Sequence, residues 1–291
     1  CLWGLWSLCF RTAEHLSSAP LSGGLESFVV YLTMFVALTP FALADTRARS
    51  RDPSSSSLRA PVRPGDIALL LFLGATDGLN GLCYFSALQK TTVAVAVLTH
   101  YLQPLLTAII APLFLPERWR GRTFIALAIA LSGLALLLRP WESARDSDVV
   151  GAALGALSAV FFSIGVLSGK ALAQRFSTWE LAAYPKVAAF AVVSLAVPTW
   201  SIELAPLAVL IGGGVAFGAV PLVLFYRGLA RTSASQAAVL TLCEPLVAVV
   251  VGVAAWGEAL APLGVLGGAL VLGGAALIAS RSAALSTTTT S

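Results

Sequence analysis

The chain has 291 residues, of which 58% are hydrophobic and only 11% carry a charge. Because a soluble domain has about 25% charged residues, this composition excludes a soluble protein and places the chain in a lipid bilayer. The net charge of +4 does not indicate nucleic acid as a partner, since so apolar a chain has no soluble basic domain to bind it.

Ten apolar stretches follow one another along the chain. A helix needs roughly 20 predominantly apolar residues to cross the hydrocarbon of a bilayer. The first stretch is short for a span and lacks the basic segment and cleavage site of a signal peptide, so we expect a chain that begins inside its first helix. The sequence therefore predicts an all-α membrane protein with ten transmembrane helices, near residues 1–16, 25–45, 66–88, 91–115, 121–140, 150–172, 179–199, 206–229, 233–256 and 260–281.

Two low-complexity segments lie outside these stretches. Residues 46–64 form a loop rich in Arg and Ser, and residues 282–291 form a tail rich in Ser and Thr that we expect to be flexible. Loops with many Lys and Arg residues stay on the cytoplasmic side of a membrane. The basic loop 46–64 and the basic segment 118–122 therefore predict that both termini are cytoplasmic. The predicted location is the inner (plasma) membrane of the cell.

The second half of the chain repeats the first half at a constant offset. Pro104 in YLQPLLTAII matches Pro245 in TLCEPLVAVV, and 245 − 104 = 141. We therefore expect two structural repeats, residues 1–140 and 149–281. Because each repeat contains five helices, an odd number, the second must cross the membrane upside down relative to the first. The same offset pairs Leu88 with Leu229, Lys90 with Arg231, Thr91 with Thr232, Glu117 with Glu258 and Gly133 with Gly274.

A proline lies at the middle of the fourth and of the ninth predicted helix. A proline inside a helix removes one backbone hydrogen bond and kinks the helix. Pro104 and Pro245 therefore predict kinks that free the backbone carbonyl groups of His100 and Thr241. Each freed carbonyl is a candidate group for binding the ammonium of a substrate.

Polar side chains accompany both prolines. Because polar groups are costly in hydrocarbon, such residues usually face the interior of a helix bundle. His100, Gln103, Gln236 and Glu244 are therefore candidate substrate-binding residues. Gln103 and Glu244 are counterparts in the two repeats, and we expect a two-fold axis to bring them toward each other. The alternative is that each side chain only satisfies the proline kink beside it.

The third predicted helix carries an acidic residue near its centre. Asp77 lies three residues before Asn80, so both side chains share one face of the helix. Asp77 is a candidate proton-coupling residue, as is Glu244, and Asn80 is a candidate substrate ligand. The alternative for Asp77 is a fixed hydrogen bond to Asn80 or to a neighbouring helix. Tyr84 is a candidate for stacking on a substrate, although aromatic residues in apolar helices more often serve packing.

Lys186 lies about two turns into the seventh predicted helix. Its functional interpretation is a substrate-binding residue, as a partner for Glu244 or for a substrate carboxylate. The alternative is a side chain that extends along the helix to the lipid headgroups. His100 is a lone histidine without a second candidate ligand, so the sequence predicts no metal site.

Two stretches of the sequence resemble the two repeats of EamA transporters, within the drug/metabolite transporter superfamily. They are ALQKTTVAVAVLTHYLQPLLTAIIAPLFLPER and GLARTSASQAAVLTLCEPLVAVVVGVAAWGEAL. Each combines a small-residue helix, a mid-helix proline and a Gly-Glu or a variant of it, which is Pro116-Glu117 in the first repeat. The resemblance implies ten helices with both termini inside and alternating access to a central cavity. It also implies export of metabolites or amino acids.

These features favour a secondary active transporter that exports a small metabolite such as an amino acid, with coupling to protons as a further hypothesis. No Walker motif is present, so we expect neither direct use of ATP nor a cofactor. The expected partners are a small-molecule substrate and the lipid bilayer, and the chain acts as a monomer or a homodimer. The alternatives are a flippase-like carrier of a lipid-linked group and a non-transporting membrane sensor or assembly partner. An enzyme is not expected, because the sequence has no Ser-His-Asp order and no metal cluster.

Overall fold

The computed structural model describes residues 2–51, 61–142, 149–256 and 262–287, so Arg145, Glu258 and the end of the tail lie outside the described residues. The described residues are helical and contain no strand. The α-helices are α1 (Trp6–Leu16), α2 (Gly23–Arg51), α3 (Pro64–Lys90), α4 (Val93–His100), α5 (Gln103–Phe114), α6 (Gly121–Leu138), α7 (Val149–Leu172), α8 (Thr178–Ala183), α9 (Pro185–Ser194), α10 (Leu204–Gly213), α11 (Val220–Arg231), α12 (Ala234–Thr241), α13 (Cys243–Trp256) and α14 (Pro262–Thr287).

Helices long and apolar enough to cross a membrane account for most of the described chain. The all-α, multi-pass membrane class predicted from the sequence is therefore confirmed. A shorter apolar helix covers Pro262–Ile278. By length and composition, seven described segments qualify as spans: Gly23–Arg51, Pro64–Lys90, Val93–Phe114, Gly121–Glu142, Val149–Leu172, Leu204–Arg231 and Ala234–Ala255.

Large apolar side chains cover the outside of the helices. Phe72 is 48% exposed, Ile125 is 57% exposed and Leu224 is 52% exposed, although all three lie within segments long and apolar enough to cross a membrane. In a soluble protein such an apolar surface marks a binding face or a site of aggregation. Here it is the surface that a multi-pass helical protein presents to lipid.

Equivalent helices in the two halves of the chain have equivalent ends. Helix α4 spans Val93–His100 and α12 spans Ala234–Thr241, which is the same pair of limits shifted by 141 residues. The N-caps correspond as well, because Thr92 accepts a hydrogen bond from the amide of Val95 at 3.3 Å and Ser233 accepts one from Gln236 at 3.1 Å. Such side-chain caps satisfy amides that have no partner within the helix.

The two spans that contain Pro104 and Pro245 are each broken within one turn before the proline. Helix α4 ends at His100 and α5 begins at Gln103, while α12 ends at Thr241 and α13 begins at Cys243. Proline has no amide hydrogen, and its ring clashes with the carbonyl one turn earlier. The interruption therefore follows from Pro104 and Pro245, and it divides each span into two short helices whose ends meet inside the bundle.

Helices α6 and α14 pack against each other in a reciprocal way. A Cβ atom on Gly133 would lie 2.6 Å from the carbonyl oxygen of Gly267, and one on Gly274 would lie 2.7 Å from that of Ala126. Adding 141 to 133 and to 126 gives 274 and 267. The repeat therefore converts the contact of Gly133 with Gly267 into the contact of Gly274 with Ala126. The glycines allow the two backbones to approach closely along this seam.

Candidate functional site

One face of α3 carries the polar side chains Asp77, Asn80 and Tyr84. Residues three and seven positions apart lie on the same side of a helix, so these three form a stripe along it. Small residues bring the partner helix α9 close to α3, because a Cβ atom on Gly78 would lie 2.7 Å from the carbonyl oxygen of Ala189. The Asp77 end of the stripe lies beside α9, and its Tyr84 end lies beside His100 of α4.

Lys186 forms an ion pair with Asp77 at one end of this stripe. The Lys186 ammonium donates to the Asp77 carboxylate, and only 6% of the Lys186 side chain is exposed. The ammonium also lies 4.9 Å from the centroid of the Tyr31 ring, whose hydroxyl donates to the backbone carbonyl of Asp77 at 3.2 Å. Lys186 is thus held within the bundle by Asp77, rather than paired with Glu244 or extended to the headgroups.

Aromatic rings surround the other end of the stripe. The Tyr84 ring lies 4.6 Å from the His100 ring, measured between centroids, and the Tyr101 and Phe162 rings lie 5.3 and 5.7 Å from it. His100 Nδ1 lies within hydrogen-bond distance, 2.8 Å, of the Ser158 hydroxyl. The described residues contain no group of three or more His, Cys, Asp and Glu side chains suited to a metal ion. His100 is therefore a member of an aromatic cluster.

Glu244 faces this aromatic cluster from the first turn of α13. The Tyr101 and Tyr84 hydroxyl groups both lie within electrostatic range of the Glu244 carboxylate. On its backbone side Glu244 packs against Gly4, where a Cβ atom would meet the Glu244 carbonyl oxygen at 2.5 Å. A carboxylate next to several aromatic rings is a suitable environment for an organic cation.

Gln103 connects the two broken spans. Its side-chain amide donates to the Thr241 hydroxyl at 2.6 Å, and its backbone carbonyl accepts from the Ser163 hydroxyl at 3.0 Å. Gln103 is 1% exposed, and its side-chain oxygen has no partner among the described residues. We expected Gln103 to approach its repeat counterpart Glu244, but it meets Thr241, which lies one turn earlier. The two helix breaks are therefore joined by one polar contact, which links the start of α5 to the end of α12.

Gln236 lies at the other end of α12 from Thr241. Its side-chain oxygen accepts from the amide of Ser233 at 3.4 Å and completes a capping box, in which the Ser233 hydroxyl accepts from the Gln236 amide. This is a role in the helix terminus. A cavity of about 280 Å³ adjoins Gln236, with Arg120, Gly121, Arg122, Thr123, Leu277 and Ile278 along its wall. The structure therefore does not bring Gln236 together with the aromatic cluster.

Sequence reasoning missed a buried carboxylate that connects the two halves of the chain. Glu180 is fully buried and accepts hydrogen bonds from the Arg49 guanidinium at 2.5 and 2.9 Å and from the Thr46 hydroxyl at 2.6 Å. The spacing of Ser177 and Glu180 is that of a capping box, and this signal predicts the helix start at α8. It does not predict Arg49 as the partner.

Because of the Gln103–Thr241 contact, we expect two threonine variants to differ in their free energies of unfolding. We expect Thr241→Val to lower the free energy of unfolding by about 1–3 kcal/mol, because it leaves the buried Gln103 amide without its acceptor. Thr107→Val is the matched control, since the Thr107 hydroxyl is fully buried and has no partner among the described residues. Thermal unfolding in detergent measures both. Equal losses in the two variants would contradict the importance of this contact.

A family model covers nearly the whole chain. The model of the EamA-like transporter family matches residues 1–139 and 149–280. The chain belongs to the EamA-like transporter family. This membership confirms the resemblance predicted from the sequence, and it indicates a transporter rather than an enzyme.

Relatives of this EamA-like chain are also named as transporters. An uncharacterized transporter from Archaeoglobus fulgidus is 30% identical over 298 residues, which is 95% of this chain and 99% of the relative. The pseudopaline exporter CntI of Pseudomonas aeruginosa is 28% identical over 118 residues, 40% of this chain and 41% of the exporter. A crystal structure that is 22% identical matches with a TM-score of 0.76 over 96% of this chain and 94% of that chain, which shows the same fold.

Proposed function

We propose that this EamA-like protein is a secondary active transporter of the inner (plasma) membrane that exports a small amphipathic metabolite, such as an amino acid, by alternating access. In this proposal ten helices form two five-helix repeats, residues 1–140 and 149–281, inserted in opposite directions. Both termini are cytoplasmic, the loop 46–64 lies on the cytoplasmic side, and the chain acts as a monomer or a homodimer.

The observation that carries this proposal is the meeting of two broken spans at Gln103 and Thr241. Helix breaks inside a membrane are tolerated where the freed backbone groups face protein or a water-filled cavity. In transporters built from repeats, the substrate site lies near such discontinuous helices at the interface of the two repeats. The contact at 2.6 Å joins α5 to α12, and Glu244 follows in the next turn beside the aromatic cluster. The central site is therefore proposed at this point.

A layer of charged contacts joins the two repeats at one end of the bundle and supports the proposed orientation. Asp66 pairs with Arg175, Arg49 pairs with Glu180, and Glu117 accepts from the amides of Ala234 and Ser235 at the start of α12. All of these residues lie at helix ends whose loops we predict to be cytoplasmic. Contacts of this kind close one side of the bundle, as alternating access requires of each state in turn.

A transport assay tests the proposal directly. The purified protein is first screened by thermal unfolding against amino acids, sugars, nucleotide sugars and cationic drugs, because a ligand of the folded state raises the melting temperature. Flux of the best ligand is then measured in proteoliposomes. We expect a ligand among the amino acids whose binding is weakened in Glu244→Gln and Gln103→Leu. Binding confined to nucleotide sugars, or no flux of any ligand bound, would contradict the proposal.

Proton coupling is proposed for Asp77 and Glu244 and gives a separate prediction. We expect Asp77→Asn and Glu244→Gln each to weaken the pH dependence of substrate flux, because an amide cannot release a proton. The measurement is the initial rate of flux in proteoliposomes across a range of pH, with Glu142→Gln as the control at an exposed site. If both variants keep the pH dependence of the unmodified protein, neither residue carries the coupling.

A further inference from the structure

The polar stripe on α3 has charged groups at both ends. Asp77 and Lys186 form an ion pair at one end, and at the other Tyr84 lies within electrostatic range of the Glu244 carboxylate. Seven residues separate Asp77 from Tyr84, which at a rise of 1.5 Å per residue is about 10 Å along the helix. A cationic group from α9 and an anionic group from α13 therefore flank the stripe on α3, near positions roughly two helical turns apart.

A series of neighbouring aromatic side chains leads from the region of Asp77 to that of Glu244. The Tyr226 hydroxyl lies within electrostatic range of Asp77, and the neighbouring Phe225 ring lies 5.3 Å from the Trp3 ring, measured between centroids. Trp3 immediately precedes Gly4, which packs against the Glu244 backbone. This run of rings connects the Lys186 end to the Glu244 end and is apolar over most of its length.

Asn80 lies between the two ends of the stripe and has an unsatisfied acceptor. Its side-chain oxygen is buried and has no hydrogen-bond partner among the described residues. A buried polar atom without a partner is costly, so such an atom usually marks a place where another group binds. Asn80 therefore offers one acceptor for a donor in the middle of a bound molecule.

We infer that this site takes an extended zwitterion, with an ammonium group and a carboxylate separated by an apolar chain. The ammonium binds Glu244 within the ring of Tyr84, His100 and Tyr101, where the aromatic faces stabilise a cation. The carboxylate binds Lys186 and replaces Asp77 as its partner. The inference rests on the proposed transport function and specifies its substrate class.

The separation of the two charged ends decides between extended and compact substrates. In an α-amino acid both charged groups are attached to the same carbon, so such a molecule reaches either Glu244 or Lys186 but not both. An ω-amino acid with a chain of several methylene groups spans the distance, and its methylene groups contact Trp3 and Phe225. Each buried methylene adds to the binding free energy, so affinity increases with chain length until the chain spans the two ends.

A series of ω-amino acids tests this inference. Affinities of glycine, 4-aminobutyrate, 6-aminohexanoate and 8-aminooctanoate for the purified protein are measured by isothermal titration, with norleucine as a compact apolar control. We expect 8-aminooctanoate to bind at least tenfold more tightly than glycine or norleucine. Tightest binding of norleucine, with no increase along the series, would overturn the inference and leave the proposed amino-acid transport standing.

Matched ligands and variants show which residue binds each charged end of the ligand. The unmodified protein is expected to bind 8-aminooctanoate about tenfold more tightly than 8-aminooctanamide, and the double variant Asp77→Asn/Lys186→Met is expected to bind both equally. This double variant removes both charges of the ion pair, so no unpaired charge remains to unfold it. Glu244→Gln is expected to remove the preference for 8-aminooctanoate over its N-acetyl derivative. If the double variant keeps the tenfold preference for the carboxylate, Lys186 does not bind it and the inference is wrong.

Discussion

Replacing Glu180 with leucine is expected to lower the free energy of unfolding by about 3–5 kcal/mol, because removing one partner of a buried ion pair leaves the other charge uncompensated. Glu180 is fully buried, and its carboxylate accepts hydrogen bonds from Arg49, Thr46 and the backbone amide of Ser177. The substitution therefore removes an ion pair, a hydroxyl partner and the cap of α8 together. The measurement is the unfolding midpoint of the purified protein in detergent.

Two further variants distinguish the stability lost with the buried ion pair from the stability lost through general damage to the helix. Glu142→Ala removes the exposed pair between Arg139 and Glu142 and is expected to cost less than about 1 kcal/mol. The double variant Arg49→Met/Glu180→Leu is expected to be more stable than Glu180→Leu alone, since it leaves no partly buried guanidinium without a carboxylate partner. If Glu180→Leu unfolds at the same midpoint as the unmodified protein, the contact between Arg49 and Glu180 is not a structural link between the two halves.

The features of this fold that depend on nearby residues in the chain could be predicted from the sequence. The breaks before Pro104 and Pro245 follow from the missing amide hydrogen of proline, and the N-caps Thr92 and Ser233 follow from their hydroxyl groups. Each effect acts within about one turn of its own residue. The membrane-spanning helices follow equally from local apolar composition, and the family membership follows from the repeated motifs.

The partners of the polar side chains could not be predicted in the same way. Lys186 pairs with Asp77 because Gly74 and Gly78 let α9 approach the same face of α3, and nothing in the sequence near Lys186 specifies that helix. The apolar spans are hydrophobic on all sides, so periodicity does not tell which face meets protein and which meets lipid. For the same reason the Arg49 partner of Glu180, at a distance of 131 positions in the chain, was not foreseen.

The expected approach of Gln103 to Glu244 shows a limit of repeat arguments. The repeat correctly identifies the two broken spans as equivalents, yet Gln103 meets Thr241, whose counterpart in the first half is His100. A pseudo-two-fold axis exchanges the contact of residues 103 and 241 with that of residues 244 and 100. It does not require a residue to meet its own counterpart unless that residue lies on the axis. Glu244 instead faces Tyr101, the neighbour of His100, so the exchanged contact is present only approximately.

Alanine at Gly133 or at Gly274 is expected to destabilise the protein by similar amounts, about 1–3 kcal/mol each, by overpacking the seam between α6 and α14. On Gly133 the new methyl group would lie 2.6 Å from the Gly267 carbonyl oxygen and 2.8 Å from the Val271 amide nitrogen. On Gly274 it would lie 2.7 Å from the Ala126 carbonyl oxygen. These neighbours are backbone atoms, so neither site can relax by moving a flexible side chain.

The adjacent residue Gly273 provides the control for this prediction. A Cβ atom on Gly273 would meet nothing within 4 Å, so Gly273→Ala keeps the seam intact and is expected to be neutral or slightly stabilising, since alanine favours the helix over glycine by up to about 1 kcal/mol. Thermal unfolding in detergent compares the three single variants and the double variant. A large loss in Gly133→Ala with none in Gly274→Ala would contradict the reciprocal seam.

The double variant shows whether the seam behaves as one unit. Once Gly133→Ala has pushed α6 away from α14, a methyl group added at Gly274 overlaps less with the backbone of α6. The loss in the double variant is therefore expected to be smaller than the sum of the two single losses, as is usual for residues coupled through one backbone shift. A strictly additive loss would mean that the two ends of the seam move independently.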